Sequence, residues 1–387
     1  MKKRILVPGL AALLVAVCCS TVLRAQDDAT SVFQVLKVPF HGVGVTALSA
    51  TSPSNIFTAA GNFVAGGALN FDGKHWHERP VGGNGVVTGM ATTSPSDAWT
   101  VGWDLPGGIE RVEHFDGKSW SKVKDVELIG TIVDKGMVTA EVLNGISALS
   151  PDDIYAAGWI LAADGKLFVS FFEHWDGKKW SLVSHLNLKN NALIYSVSAL
   201  SHNDVWAVGY VPGIRGIGGQ AQAFHWDGTK WTLFNTAPPA CYCALFAVTA
   251  IAPDDVWALG NRLNTKKQTS VPIAEHWDGH KWSFTPVPDP GINHDTSENN
   301  EFKAVAAVSS KSVWAGGSYD SQDGSAAAFA EHWDGSKWNL EPLPSCRACS
   351  VFQISALPSG AVWLGAQQYP TINGAPDPFI LFTNKGE

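Results

Sequence analysis

Glu173, His174 and Asp176 stand within four positions of one another in the stretch EHWDGKKW, residues 173–180. Those types could do chemistry. A carboxyl can act as general acid or base, an imidazole can carry a proton or hold a metal, and a second carboxylate can orient the ring. A second candidate set is sulfur: Cys241 and Cys243 in ACYCA, Cys346 and Cys349 in SCRACS. Four thiolates from two loops could hold zinc, whereas an oxidising compartment would pair them as disulfides.

The first set recurs, and recurrence decides its meaning. NFDGKHW (70–76), EHFDGKSW (113–120), FHWDGTKW (224–231), EHWDGHKW (275–282) and EHWDGSKW (331–338) repeat it along the chain. Ahead of each copy comes SNIFTAAG, SDAWTVG, DDIYAAG, NDVWAVG, DDVWALG or KSVWAGG, with a seventh form, GAVWLGA, near the end. A short apolar run precedes each of these and carries one small residue: Ala47, Gly89, Ala148, Ala199, Ala250, Ala307 and Ala356, with a mean spacing of 51.5 residues. A single reaction centre is not repeated around a chain, and Leu69 and Phe224 replace the glutamate in two copies. Strand alternation also sends Glu173 and His174 to opposite faces. The motif therefore reads as scaffold, with His114, His174, His225, His276 and His332 hydrogen-bonded within or between repeats.

Each repeat reads as four strands. Strand a is the short apolar run; strand b carries Phe57, Trp99, Tyr155, Trp206, Trp257, Trp314 or Trp363. Strand c ends just before Asp-Gly, and strand d begins near the following Trp. Asp-Gly between aromatic runs signals a tight hairpin whose two central residues both take positive φ. Seven such units of about 50 residues predict an all-β fold: a seven-bladed β-propeller of four-stranded antiparallel blades. The small residue of strand a is expected where inner strands crowd the axis. The seventh unit stops after PFILFT, one strand short. SVFQVLKVPF (31–40) has the missing strand's character, so the N-terminal strand is expected to complete the last blade and close the ring.

The unit SVWAGGSYDSQDGSAAAFAEHWDGSKWNLEPLP (312–344), with its aromatic strand and Gly316-Gly317, resembles the Kelch and galactose-oxidase-like class of secreted propellers. The likeness extends over nearly all of the chain at the level of blade layout, but the double glycine stands in this place in one blade only. The Asp-box of sialidase-like propellers is a poorer match, its spacing being one residue wider. No catalytic residue of either class has a matching position here. Tyr242 between two cysteines resembles the tyrosine–cysteine pair of copper-radical oxidases, yet their histidine ligands have no counterpart.

MKKR, the apolar run ILVPGLAALLVAVCCSTVL and RAQDD read as a secretory signal over residues 1–25, cleaved near Ala25, leaving one domain over 26–387. The expected location is secreted or periplasmic, with a lipid anchor at Cys18 or Cys19 as the lesser alternative. Net charge is −8. Losing Lys2, Lys3, Arg4 and Arg24 makes the mature chain more acidic still, which argues against nucleic acid as a partner. After signal cleavage no stretch is long and apolar enough to span a bilayer.

Function is expected on the face where the b–c and d–a loops gather, because their lengths and sequences differ from blade to blade. Aromatics follow strand b there: Phe63, Trp103, Trp159, Tyr210, Tyr319 and Tyr369. Arg111, Arg215, Arg262 and Arg347 fall in or beside the same loops and suit carboxylate recognition. Of these, Trp103, Trp159, Tyr210, Tyr319, Tyr369, Arg111, Arg215 and Arg262 are the candidate ligand contacts. The expectation is a monomeric, non-catalytic module without metal or cofactor that binds an extracellular glycan or protein. The alternative is a glycoside hydrolase or lyase, which would draw two carboxyls from Asp104, Glu110, Asp289, Asp295, Glu298, Glu301 and Asp320.

Overall fold

Period-2 alternation with bulky apolar residues on both faces makes strands that must be covered on each side. Seven twisted sheets, each sandwiched by its neighbours, satisfy that requirement. The computed structural model describes residues 32–40, 43–61, 66–133, 136–162, 167–183, 192–212, 219–236, 241–264, 269–290, 300–321, 325–346, 348–369 and 376–383. Residues 1–25, expected from the sequence to be a signal segment, lie outside them. Seven four-stranded antiparallel sheets follow one another along the chain. Their innermost strands a are Gly44–Ser52, Gly85–Ser94, Ala140–Ser150, Leu193–Ser201, Cys243–Ala252, Glu301–Ser309 and Cys349–Ala356, for blades 1 to 7. A two-stranded ribbon, Ile132–Val133 with Gly136–Met137, is the one described addition to this plan. Among the described residues no helix is long and apolar enough to cross a membrane.

The ring closes as the sequence requires. Gln34–Lys37 pairs with Asp377–Thr383, Gln34 opposite Phe382 and Lys37 opposite Phe379. The N-terminal strand is thereby the outer strand of blade 7. Phe33 packs edge-on against Trp314 of blade 6, with ring centroids 5.6 Å apart.

Each strand-b aromatic plugs the gap to the next blade. Trp99 meets Trp175 and Trp180, Trp206 meets Trp277 and Trp282, and Trp257 meets Trp333 and Trp338. The repeated Trp of strand c and the Trp of strand d are thus two walls of one socket. Burying such rings dominates the stability of each blade interface.

The repeated histidine is a structural link. His114, His174, His225 and His276 bond through Nε2 to the aspartate that opens strand b (Asp97, Asp153, Asp204, Asp255) at 2.6–2.9 Å, and His332 bonds Ser312. Each ring also lies 4.2–4.6 Å from the strand-b aromatic. Blade 1 substitutes an Asn70–Asn55 amide pair.

Two local expectations need correction. The Asp-Gly turns hold one residue at positive φ, not two: Gly177 has φ 85°, and every other Asp-Gly glycine lies near 90°. Trp175 pairs with Trp180, so the loop has four residues. The Asp176 carboxylate accepts the backbone N–H groups of Lys178 and Lys179 at 2.9 and 2.8 Å, which keeps Asp176 out of the left-handed region and lowers its pKa. The small residues of strand a also fall into two sets. Ala47 and Gly89 directly follow the inner-strand bulge described below, whereas Ala148, Ala199, Ala250, Ala307 and Ala356 lie three residues further on. The latter five pack in the clusters between blades rather than crowd the axis.

Candidate functional site

Strand a carries a β-bulge at the same place in every blade. Pairing with strand b skips one residue: Thr46, Thr88, Asn144, Tyr195, Phe246, Lys303 and Phe352. Glycine of strand b stands opposite the residue before the skip in five blades, and a Cβ there would meet a strand-a carbonyl oxygen at 1.9 Å, as for Gly158 against Val142. A bulge re-aims its extra side chain, and here all seven line one axial cavity of about 680 Å³. A narrower extension of about 120 Å³ continues between the inner strands. The bulges lie near the start of strand a, so the cavity opens at the end of the axis where b–c and d–a loops gather. On the opposite face the c–d turn is tied to the a–b turn of its own blade; Trp175 Nε1, beside the c–d turn, donates to Pro151 O of the a–b turn at 3.1 Å.

The seven bulge residues divide by chemistry around the ring. Blades 1 to 3 give Thr46, Thr88 and Asn144; blades 4, 5 and 7 give Tyr195, Phe246 and Phe352. Some of the polar capacity is spent on the scaffold: Thr88 Oγ1 donates to Leu143 O at 2.5 Å and Asn144 Nδ2 to Ile194 O at 2.6 Å, each linking one blade to the next. On the aromatic side Tyr195 lies parallel to Tyr210 at 5.8 Å and edge-on to Phe246 at 5.4 Å. Burial raises the pKa of the Tyr195 phenol, so it stays a neutral hydroxyl. In blade 6 Lys303 Nζ contacts Glu301 and sits 5.0 Å from the centroid of Phe352. Glu301 is the single carboxylate, and Lys303 the single cation, among the described residues lining the cavity. The described lining is therefore close to electroneutral.

The structure brings two of the anticipated contacts to this mouth. Tyr369 lines it, with Gln367 Nε2 donating to its hydroxyl at 2.7 Å, and Tyr210 backs Tyr195. Trp159 packs edge-on against Phe168 within its own blade, Tyr319 packs near Phe329, and Trp103 pairs across to Val86, itself a lining residue. Arg111 is turned inward: 5% exposed, it donates to Glu113 Oε2 at 2.9 Å, to Gly82 O and to Asp104 Oδ1. Arg262 is exposed and borders a separate groove of about 360 Å³ with Phe284, Pro286 and Asp289. Phe63, Arg215, Arg347, Asp295 and Glu298 lie outside the described residues. Asp104 pairs with Arg111, and neither Asp104 nor Asp320 lines the cavity.

Two carboxyls do meet, but away from the mouth. Glu110 of blade 2 and Glu173 of blade 3 are 2% and 0% exposed and lie near each other between the blades. Desolvation, then the neighbouring carboxyl, pushes Glu110 well above the usual range, and burial raises Glu173 likewise. Enclosed on all sides, the pair has no face for a substrate. Burial also raises Glu275 to about 7 and Glu331 to about 9.

The cysteines pair locally, Cys241 with Cys243 and Cys346 with Cys349, so the sulfurs are disulfides and the two-loop zinc site does not form.

No protein-family model matches the chain, and no curated relative does. Solved structures do. YCF48 bound to D1 peptide is similar at 12% identity and TM-score 0.55, over 91% of this chain and 96% of that one. A catalytically inactive virginiamycin B lyase from Staphylococcus aureus with quinupristin matches at 11% and 0.54, over 91% and 98%. A PL25 ulvan lyase bound to -[GlcA(1-4)Rha3S]- matches at 11% and 0.56, over 89% and 95%. Identities this low establish the shared propeller and nothing about activity.

Proposed function

We propose that this chain is a secreted, non-catalytic recognition module that takes an extracellular glycan, or a short peptide segment, into the axial mouth. The observation that carries the reading is the ring of bulge residues: one aromatic arc, one polar arc and a self-neutralised Lys303–Glu301 pair around about 680 Å³. Sugar rings have apolar faces to lay on aromatics and hydroxyls to reach amides, and need no net charge. The solved relatives that carry a peptide or a saccharide make both ligand classes reasonable for the scaffold. The Kelch-like layout of residues 312–344 belongs to this reading as a likeness only.

A hydrolase needs two carboxyls about 5 to 9.5 Å apart across its substrate, and the described lining offers Glu301 alone. The test is a glycan and peptide screen on residues 26–387, repeated with Phe246→Ser and Lys303→Ala. Capture by the parent, weakened at least tenfold in both variants at unchanged melting temperature, is expected. Capture indifferent to both changes removes the axial site. Turnover of any polysaccharide in the screen removes the non-catalytic reading.

A further inference from the structure

The bond between His174 of strand c and Asp153 of strand b in blade 3 sits beside the a–b turn of blade 4. In four turns the residue in the second position is proline: Pro53, Pro95, Pro151 and Pro253. Blade 4 has His202 there. Its imidazole completes a set found at no other blade boundary among the described residues: one ligand atom each from Asp153, His174 and His202, all within 4.8 Å of one another.

We propose that these three side chains form a divalent-cation site, suited to zinc, that staples blade 3 to blade 4. His174 Nε2 is 2.7 Å and His202 Nδ1 is 3.4 Å from Asp153 Oδ1. Ligands about 2.0–2.1 Å from a tetrahedral zinc lie roughly 3.3 Å apart, so small rotations of the rings admit the ion. Two imidazoles and one carboxylate are borderline-soft donors that favour zinc over magnesium or calcium. The turn bearing His202 is already fixed: its carbonyl accepts Tyr155 Oη–H at 2.8 Å and Trp226 Nε1–H at 3.2 Å. That first bond depends on Tyr155 standing where most blades have tryptophan, so two substitutions away from the repeat converge on one place. His174 is held against Tyr155, their rings tilted with centroids 4.6 Å apart, and lies edge-on to His202 at 5.0 Å. Side-chain exposures of 16% for His174, 24% for Asp153 and 59% for His202 leave an entry path and room for water to complete the shell. The site lies on the a–b and c–d face, opposite the axial mouth, and does not rest on the proposed recognition function.

The test uses tag-free, disulfide-intact protein stripped with EDTA and titrated with zinc chloride by calorimetry and thermal melting. One equivalent should bind, and melting should rise by about 3–4 °C at a hundredfold excess over Kd, reversing with EDTA. His202→Pro installs the residue of four sister turns, so it should fold and lose both responses, while the paired sites at His114, His225 and His276 remain as internal controls. His202→Ala repeats the comparison without proline's constraint. Absence of a rise in the parent protein, or retention of one bound equivalent and the full rise in either variant, overturns the site.

Discussion

Replacing Glu331 by glutamine should favour the variant over the parent progressively as the pH rises from acid to neutral. Glu331 lies on the strand-c face that carries Phe329 and Trp333 against blade 5, is fully buried, and has no hydrogen-bond partner for either carboxyl oxygen. Desolvation, helped by Asp289, raises its pKa from 4.5 to about 9. The sign follows from linkage: below pH 4.5 both folded and unfolded chains hold the proton. Above it the unfolded chain releases the proton and the folded chain does not, so folding loses about 1.4 kcal/mol per pH unit until the folded pKa is reached. Between pH 4.5 and pH 7 the loss is about 3 kcal/mol. Glutamine keeps the shape of the protonated acid and carries no such loss. Its second N–H donor adds a cost independent of pH. The measurable quantity is therefore the gap in unfolding free energy between Glu331→Gln and the parent, read by urea titration at steps from pH 4.5 to 8. It should widen in the variant's favour by about 3 kcal/mol by pH 7. A gap that stays flat within about 0.5 kcal/mol means that Glu331 is ionised in the fold, and the account of the buried carboxyls is then wrong.

Beginning the chain at Val43 instead of residue 26 removes the outer strand of blade 7 and uncovers Trp314. Loss of Phe33 and Val38 burial alone costs about 3–6 kcal/mol, so the truncated protein should melt well below the parent or aggregate through its bare edge, and an unchanged melting curve would deny ring closure. Asp176→Ala should lower the melting temperature modestly without altering ligand capture or zinc uptake, because its carboxylate serves only its own turn; selective loss of binding in a well-folded variant would contradict that. Cleaving both disulfides with a mild reductant should leave the axial mouth able to capture ligand, since each pair closes only two or three residues of chain; loss of capture at unchanged secondary structure would give the d–a loops a direct role.

Blade number, strand order and ring closure were legible because they follow from the repeat, and the repeat is written in residues that pack. Trp206, Trp257 and Trp314 recur because each fills the same socket, and histidine recurs because it bonds the polar residue that opens strand b, an aspartate in four blades and Ser312 in blade 6. The turn conformation was read less well. Asp-Gly suggested positive φ at both residues, but the aspartate side chain accepts two backbone N–H groups, which favours a longer loop with one left-handed glycine. Arg111 shows a second limit. Its position beside a variable loop suggested exposure, while its alternation along the strand placed it on the face that Glu113 shares, where the two charges pair out of solvent.

The axial residues were harder to see for a reason that bears on function. A position that packs is held to a few side chains in every blade, and that constancy is what makes it visible. Thr46, Thr88, Asn144, Tyr195, Phe246, Lys303 and Phe352 share one place in the fold and almost nothing in chemistry, because a bulge takes each out of the inter-blade packing and into a shared cavity. Their signature in the sequence is a column free to vary between neighbours that are not, as in VLNGISA, LIYSVSA, ALFAVTA and EFKAVAA. His202 follows the same logic, as one departure in a turn where four blades have proline. In a ring built by repetition, the positions that differ from blade to blade are the ones available for recognition: the axial mouth is made of such departures, and at the blade 3–4 boundary one departure, His202, adds a third ligand to a pair the repeat already supplies.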